Sequence, residues 1–313
     1  MRRARIVGML LAGLLLGACT DPASDPEAPP PSPDVAGASD TTENGRPAAT
    51  RRASPPATAR PGGPPPSVLY LGDSLATESQ QVLGQELRRD LGARYTSAPY
   101  SGTTVCDYLE GTGARSLVPD RDKAAALVRS LRPDIVVLQF WGNAWDYTWC
   151  MDGITYTDSR SEYVTRYAAD VKRLTEQIAA AGGAKRPRIV WVSQGPDPIT
   201  PDRVRRVNEL YQRQASASGD LVADAGKTVS PAGARQTWVQ YLPCTAHERD
   251  HPEYCTQPDR GRTALHLDKD PLHFCLAPTT PTPRPCPVRS PGILRIAREI
   301  TRVVEERAVG DGP

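Results

Sequence analysis

From residue 67 onward, short apolar runs alternate with longer segments of helical periodicity. Val68-Leu69-Tyr70-Leu71 is an unbroken apolar run that stops at Gly72-Asp73-Ser74. Such a run fits a strand buried on both faces, as in a parallel sheet. Val82, Leu83, Leu87 and Leu91 then share one face and predict a helix over 76–91. A second short strand is expected at 94–97, followed by a loop over 98–120 that holds Gly102, Cys106, Gly111 and Gly113. Ala124, Leu127, Val128 and Leu131 mark the next helix, which Pro133 ends. Ile135-Val136-Val137-Leu138-Gln139-Phe140 is the clearest strand, and a polar, aromatic loop runs from Trp141 to about Ser159.

Tyr163, Tyr167, Val171, Leu174 and Ile178 repeat at helical spacing up to Gly182-Gly183. Ile189-Val190-Trp191-Val192 reads as a strand, 202–217 as a helix with Pro201 near its first position, and Leu221-Val222-Ala223-Asp224 as the last strand. Residues 230–288 are rich in Pro, Cys and His and read as largely irregular. Ile293, Ile296, Ile300, Val303 and Val304 predict a final helix over 291–307. The alternation implies an α/β fold, a mostly parallel sheet covered by helices on both faces, in one domain over 67–313.

The first 66 residues follow a different pattern. Arg2, Arg3 and Arg5 precede an apolar stretch from Ile6 to Leu16, and Leu16-Gly17-Ala18-Cys19 closes it. This reads as an export signal over 1–18. The closing residues resemble the lipobox of bacterial lipoproteins. That resemblance implies cleavage before Cys19 and diacylglycerol on its sulfur, and so an exported protein anchored to the outer face of the cytoplasmic membrane or cell envelope. Residues 19–66 consist mainly of Pro, Ala, Ser, Thr, Gly, Asp and Arg. Too few large apolar side chains are present to offset the entropy of ordering, so a tether is expected.

Charge adds little beyond this. The net charge is +2 with 24% charged residues, and the N-terminal arginines account for it. No basic footprint for nucleic acid results, and Arg203, Arg205 and Arg206 read as a solvated helix face. Cysteine changes the picture more. With Cys19 set aside, Cys106, Cys150, Cys244, Cys255, Cys275 and Cys286 form an even set in an exported chain. The expected pairs are 106–150, which joins two long connections, and 244–255 and 275–286, which close local loops. No CxxC pair occurs, so redox chemistry and a zinc knuckle find no support.

In an open parallel sheet the chemistry gathers beyond the C-terminal strand ends. Ser74 stands directly after the first strand, where first-turn N–H groups favour developing negative charge. A serine needs a neighbouring base. The chain has four histidines, His247, His251, His266 and His273, all late, and Asp270 lies three residues before His273. In a tight turn that spacing brings a carboxylate to the far ring nitrogen.

Gly72-Asp73-Ser74-Leu75 after the first strand, with Asp270-Pro271-Leu272-His273 before the last helix, resembles the SGNH (GDSL) hydrolase family over 67 to about 307. The resemblance implies a three-layer α/β/α sandwich with a flavodoxin-like sheet, and ester hydrolysis without cofactor or metal. It implies Ser74 as nucleophile, His273 as base and Asp270 as orienting acid. The implied oxyanion hole combines the Ser74 and Gly102 backbone N–H groups with the Asn143 side chain. The family pattern around that asparagine is Gly-x-Asn-Asp, whereas here Trp141 takes the Gly position and Ala144 the Asp position. Asp73 is expected to brace the turn. Trp141, Trp145, Tyr147 and Trp149 are candidate substrate contacts, able to stack on a sugar, hold an acyl chain, or pack against a disulfide. The partner is then an ester-bearing molecule, such as an acylated glycan or glycolipid.

Three other readings are compatible with the sequence. The same serine could transfer an acyl group to a sugar rather than to water. The scaffold could bind surface glycans without catalysis. Finally, His247-Glu248-Arg249-Asp250-His251 matches H-E-x-x-H, which as a metal site requires a helix; bracketing by Pro243 and Pro252 speaks against one. No P-loop, no G-x-G-x-x-G after the first strand and no G-x-S-x-G elbow is present.

Overall fold

Five short strands form the sheet, and the three central ones, which follow the apolar runs, are buried on both sides. The computed structural model describes residues 64–141, 149–234, 236–278 and 284–310, with side chains up to 306. The strands are β1 (Ser67–Gly72), β2 (Arg94–Ser97), β3 (Ile135–Gln139), β4 (Arg188–Val192) and β5 (Leu221–Ala223). They form one parallel sheet in the order β2-β1-β3-β4-β5.

Alternate residues of each strand serve opposite cores, as the two-residue period of a strand requires. Leu69, Leu71, Val136, Leu138 and Trp191 pack under α2 (Ala124–Leu131), α3 (Arg160–Gly182) and α4 (Pro201–Ser218). Val68, Tyr70, Val137, Val190 and Val192 face α1 (Ser74–Leu91) and, beyond two short helices, the long final helix. That helix, α7 (Pro291–Gly310), lies against α1. The result is a three-layer α/β/α sandwich of flavodoxin type. The chain's direction of travel reverses at β1, and the connecting helices change face there, as right-handed crossovers demand. The crevice between the ends of β1 and β3 is therefore the topological switch point, where such sheets take their ligands.

The segment 230–288 is more regular than its composition implies. After α5 (Ala225–Thr228), β6 (Tyr241–Pro243) pairs antiparallel with β7 (Arg262–Ala264), and α6 (Ala246–Asp250) lies between them. Three disulfides are present: Cys106–Cys150, Cys244–Cys255 and Cys275–Cys286. The last spans eleven residues just before α7. Replacing both of its cysteines by serine is expected to lower stability by about 2–3 kcal/mol through lost constraint on the unfolded chain. Denaturant unfolding checks this; an unchanged midpoint would mean that the loop needs no staple.

Candidate functional site

The step from β1 into α1 is tightly built. Asp73 is buried, and its carboxylate accepts from Leu75 N at 3.0 Å and from Trp141 N at 2.7 Å. It thus caps α1 and fixes the chain leaving β3 beside the same turn. Burial raises its pKa to about 6 even though both backbone N–H groups favour the carboxylate.

Ser74 opens α1 at the switch point. Its Oγ lies 3.0 Å from His273 Nε2. The other ring nitrogen, Nδ1, lies 3.0 and 3.1 Å from the two Asp270 carboxylate oxygens, and His273 N donates to Asp270 Oδ1 at 3.2 Å. Serine, imidazole and carboxylate therefore form one continuous hydrogen-bonded line across 199 residues of sequence. Burial lowers the His273 pKa, but the Asp270 hydrogen bond and the nearby carboxylates of Glu78, Asp270 and Asp73 outweigh it and raise it to about 9. Asp270 is correspondingly depressed, chiefly by its hydrogen bond to His273.

Gly102 sits in the turn after β2 with a φ of +78°, a left-handed conformation that favours glycine. The turn is tied to β1: Tyr100 N donates to Gly72 O at 2.9 Å, and the buried Tyr108 hydroxyl donates to Gly72 O at the same distance. Ser101 Oγ donates to Thr77 Oγ1 on the first turn of α1 at 3.3 Å. Gly102 thus stands beside the Ser74 turn. Asn143, Trp145 and Tyr147 lie outside the described residues, as does Cys19. Trp149 is 68% exposed beside the Cys106–Cys150 disulfide.

Trp141 lines the cleft next to Ser74 together with Leu75, Gly195, Pro196, Leu272 and His273. Its ring meets Phe274 edge-on at 5.2 Å. A Cβ on Gly195 would come within 2.2 Å of the indole, so a glycine there lets the ring lie flat against the β4 loop. The cleft is narrow, about 30 Å³. A wider groove of about 590 Å³ runs along α7 near α6, and none of its lining residues belongs to the serine site. The hydrogen-bonded line lies at the narrow cleft and not in the wider groove.

Arg203 corrects the expectation of a solvated helix face. It is 1% exposed, lines the serine cleft, and donates to the buried Asp197 carboxylate at 2.6 Å. The physical reason is the loop ahead of α4. Asp197 also accepts from Ile199 N, Thr200 N and Thr200 Oγ1 there, creating a buried anion that draws the guanidinium inward. Arg205 and Arg206 remain half exposed and pair with Asp202.

Two more residues of the site carry no motif. His266 is buried and its Nδ1 meets His273 O at 2.9 Å; burial lowers its pKa to about 4, so it is neutral and donates. Glu78 is buried on α1, and its carboxylate accepts from Phe274 N at 2.9 Å and Cys275 N at 3.2 Å. The available signal for Glu78 was a carboxylate in the apolar stripe between Leu75 and Val82.

The H-E-x-x-H segment does contain a helix, contrary to expectation. Thr245 and Glu248 form a capping box that starts α6 despite the flanking prolines. Glu248 is buried and paired with Arg295 at 2.6 Å, while the His247 and His251 rings meet edge-on at 4.1 Å. Its carboxylate is thus engaged away from the role of a water-holding base. Among the described residues, the one group of three closely spaced potential ligands is Cys106, Asp107 and Cys150, and both sulfurs belong to a disulfide.

No protein-family model and no curated protein matches the chain. Among solved structures it is similar to a lipolytic protein of the G-D-S-L family from Desulfitobacterium hafniense DCB-2. That similarity covers 76% of this chain and 98% of the other at 12% identity, with a TM-score of 0.43. A family 3 carbohydrate esterase of Clostridium thermocellum is similar at 13% identity over 78% of this chain and 98% of its own, with a TM-score of 0.40. TesA is similar at 18% identity over 53% of this chain and 83% of its own, with a TM-score of 0.36.

Proposed function

We propose that the chain is a serine esterase of the SGNH type that acts in the cell envelope. The observation that carries this is the Ser74–His273–Asp270 line, with 3.0 Å between Oγ and Nε2. In this reading His273 takes the Ser74 proton as Oγ attacks an ester carbonyl. Asp270 holds the imidazole by Nδ1 and stabilises its charged form. In the same reading the Ser74 N–H at the α1 terminus and the Gly102 N–H receive the developing oxyanion, with Asn143 as the third donor that the family resemblance implies. His273 then protonates the leaving alcohol, and water clears the acyl-enzyme.

Three disulfides support an oxidising compartment. Together with the N-terminal arginines, the apolar stretch and Cys19, they support export over residues 1–18, a lipid anchor at Cys19 and a tether up to the domain at 67–313. An envelope address favours an O-acylated glycan or glycolipid as substrate. A fluorophosphonate probe tests the core of this reading. Labelling is expected on the wild type and lost in both Ser74→Ala and His273→Ala. A folded wild type that takes no label would sink the esterase.

A further inference from the structure

We propose that Glu78 is a positioning residue for His273: its carboxylate holds the two backbone N–H groups that directly follow the histidine and so brings a second carboxylate to the loop that carries the imidazole. As a role in catalysis this rests on the serine esterase reading. As a property of the fold it stands on its own contacts.

Glu78 lies one helical turn after Ser74, so the helix that carries the hydroxyl also carries the anchor of the loop that carries the base. Its side chain receives Phe274 N and Cys275 N, and its backbone carbonyl receives Cys286 N at 3.1 Å. Both ends of the Cys275–Cys286 staple are therefore docked on this one residue. From the other side, His266 holds the His273 carbonyl, and Trp238 Nε1 donates to Pro271 O at 2.9 Å. Simple docking could be done by a neutral acceptor such as glutamine. A carboxylate 2% exposed is costly unless a charge answers it.

The answering charge is the imidazolium. The groups facing His273 are Asp270 on its own loop, Glu78 on α1, Asp73 before α1 and the neutral His266; those facing Glu78 are His273 and Asp270, with the Tyr70 hydroxyl from β1 nearby. Burial pushes Glu78 up to about 7, while His273 and the two loop N–H groups hold it down. Asp270 orients the ring through Nδ1, and Glu78 stabilises its charged form without touching it. The histidine thus gains a second counter-charge as it accepts the serine proton.

The test is titration of the free, full-length domain without any ester. In Glu78→Gln the His273 imidazole midpoint, read by NMR, is expected to fall by about one pH unit or more, since removing a nearby anion disfavours the cation. The acid limb of kcat/KM should move with it. Coupling is mutual, so in His273→Gln the Glu78 carboxyl midpoint should rise above its wild-type value. A His273 midpoint unchanged in folded Glu78→Gln overturns the proposal. If that variant does not fold, an unchanged Glu78 midpoint in His273→Gln overturns it instead. A wild type that turns over no ester would remove the esterase reading, and the titrations would still decide Glu78.

Discussion

Replacing Ser74 by alanine is expected to lower kcat/KM for an ester by on the order of 10⁴–10⁶, with the fold intact. Ser74 is the only side chain bonded to His273 Nε2 among the hydrogen bonds of the described residues, and its hydroxyl points at the cleft rather than into the core. Its loss removes the proposed nucleophile and should leave the helix cap in place, because Asp73 and not Ser74 supplies the cap. His273→Ala should cost nearly as much, and the double variant little more than either, since the two groups act as one unit. Steady-state kinetics on a short ester checks all three. A Ser74→Ala enzyme that retains a tenth of the wild-type rate would exclude this serine as the attacking group.

The second large effect is a steep dependence on pH. A general base must be neutral to accept a proton, so kcat/KM should climb about tenfold per pH unit until the imidazole has lost its own. With His273 raised to about 9, activity at pH 6 is expected to lie roughly a thousandfold below the plateau. The direction follows from the balance described above: burial alone would lower the midpoint, and the surrounding carboxylates more than reverse it. Asp270→Asn should bring the limb toward that of an ordinary imidazole and lower the plateau too, because the ring loses its orienting partner. A wild-type limb near pH 6.5 would mean that these carboxylates do not hold the charge on the ring.

Much of the scaffold could be read from the chain because the physics is local. β1 and β3 are unbroken apolar runs since both of their faces are covered, and α7 shows its buried stripe at every turn. Ser74 and His273 were legible because each stands at a marked place, a strand end and a turn with Asp270. β6 and β7 were not legible. Each is three residues long with no apolar run, and their pairing belongs to a region closed by Cys244–Cys255. α6 had a sequence signal, Thr245 with Glu248 three residues on, which the flanking prolines obscured. Arg203 and Glu78 escaped for a deeper reason. Whether a charged side chain on a helix faces water or a buried partner depends on how a loop folds, the Asp197 loop six residues before Arg203 and the Phe274 loop 196 residues after Glu78, and no periodicity carries that.

The separation between hydroxyl and imidazole also bears on how the molecule comes into being. A nascent chain that has emerged through β5 already includes the β1 turn, yet Asp270 and His273, which meet Ser74, emerge only later. Before the His273 loop docks on Glu78 and α7 packs against α1, Ser74 stands at the tip of its strand without its imidazole partner. Reactivity should therefore arrive in a single late step, and a product truncated before α7 should be inert even where its sheet has formed.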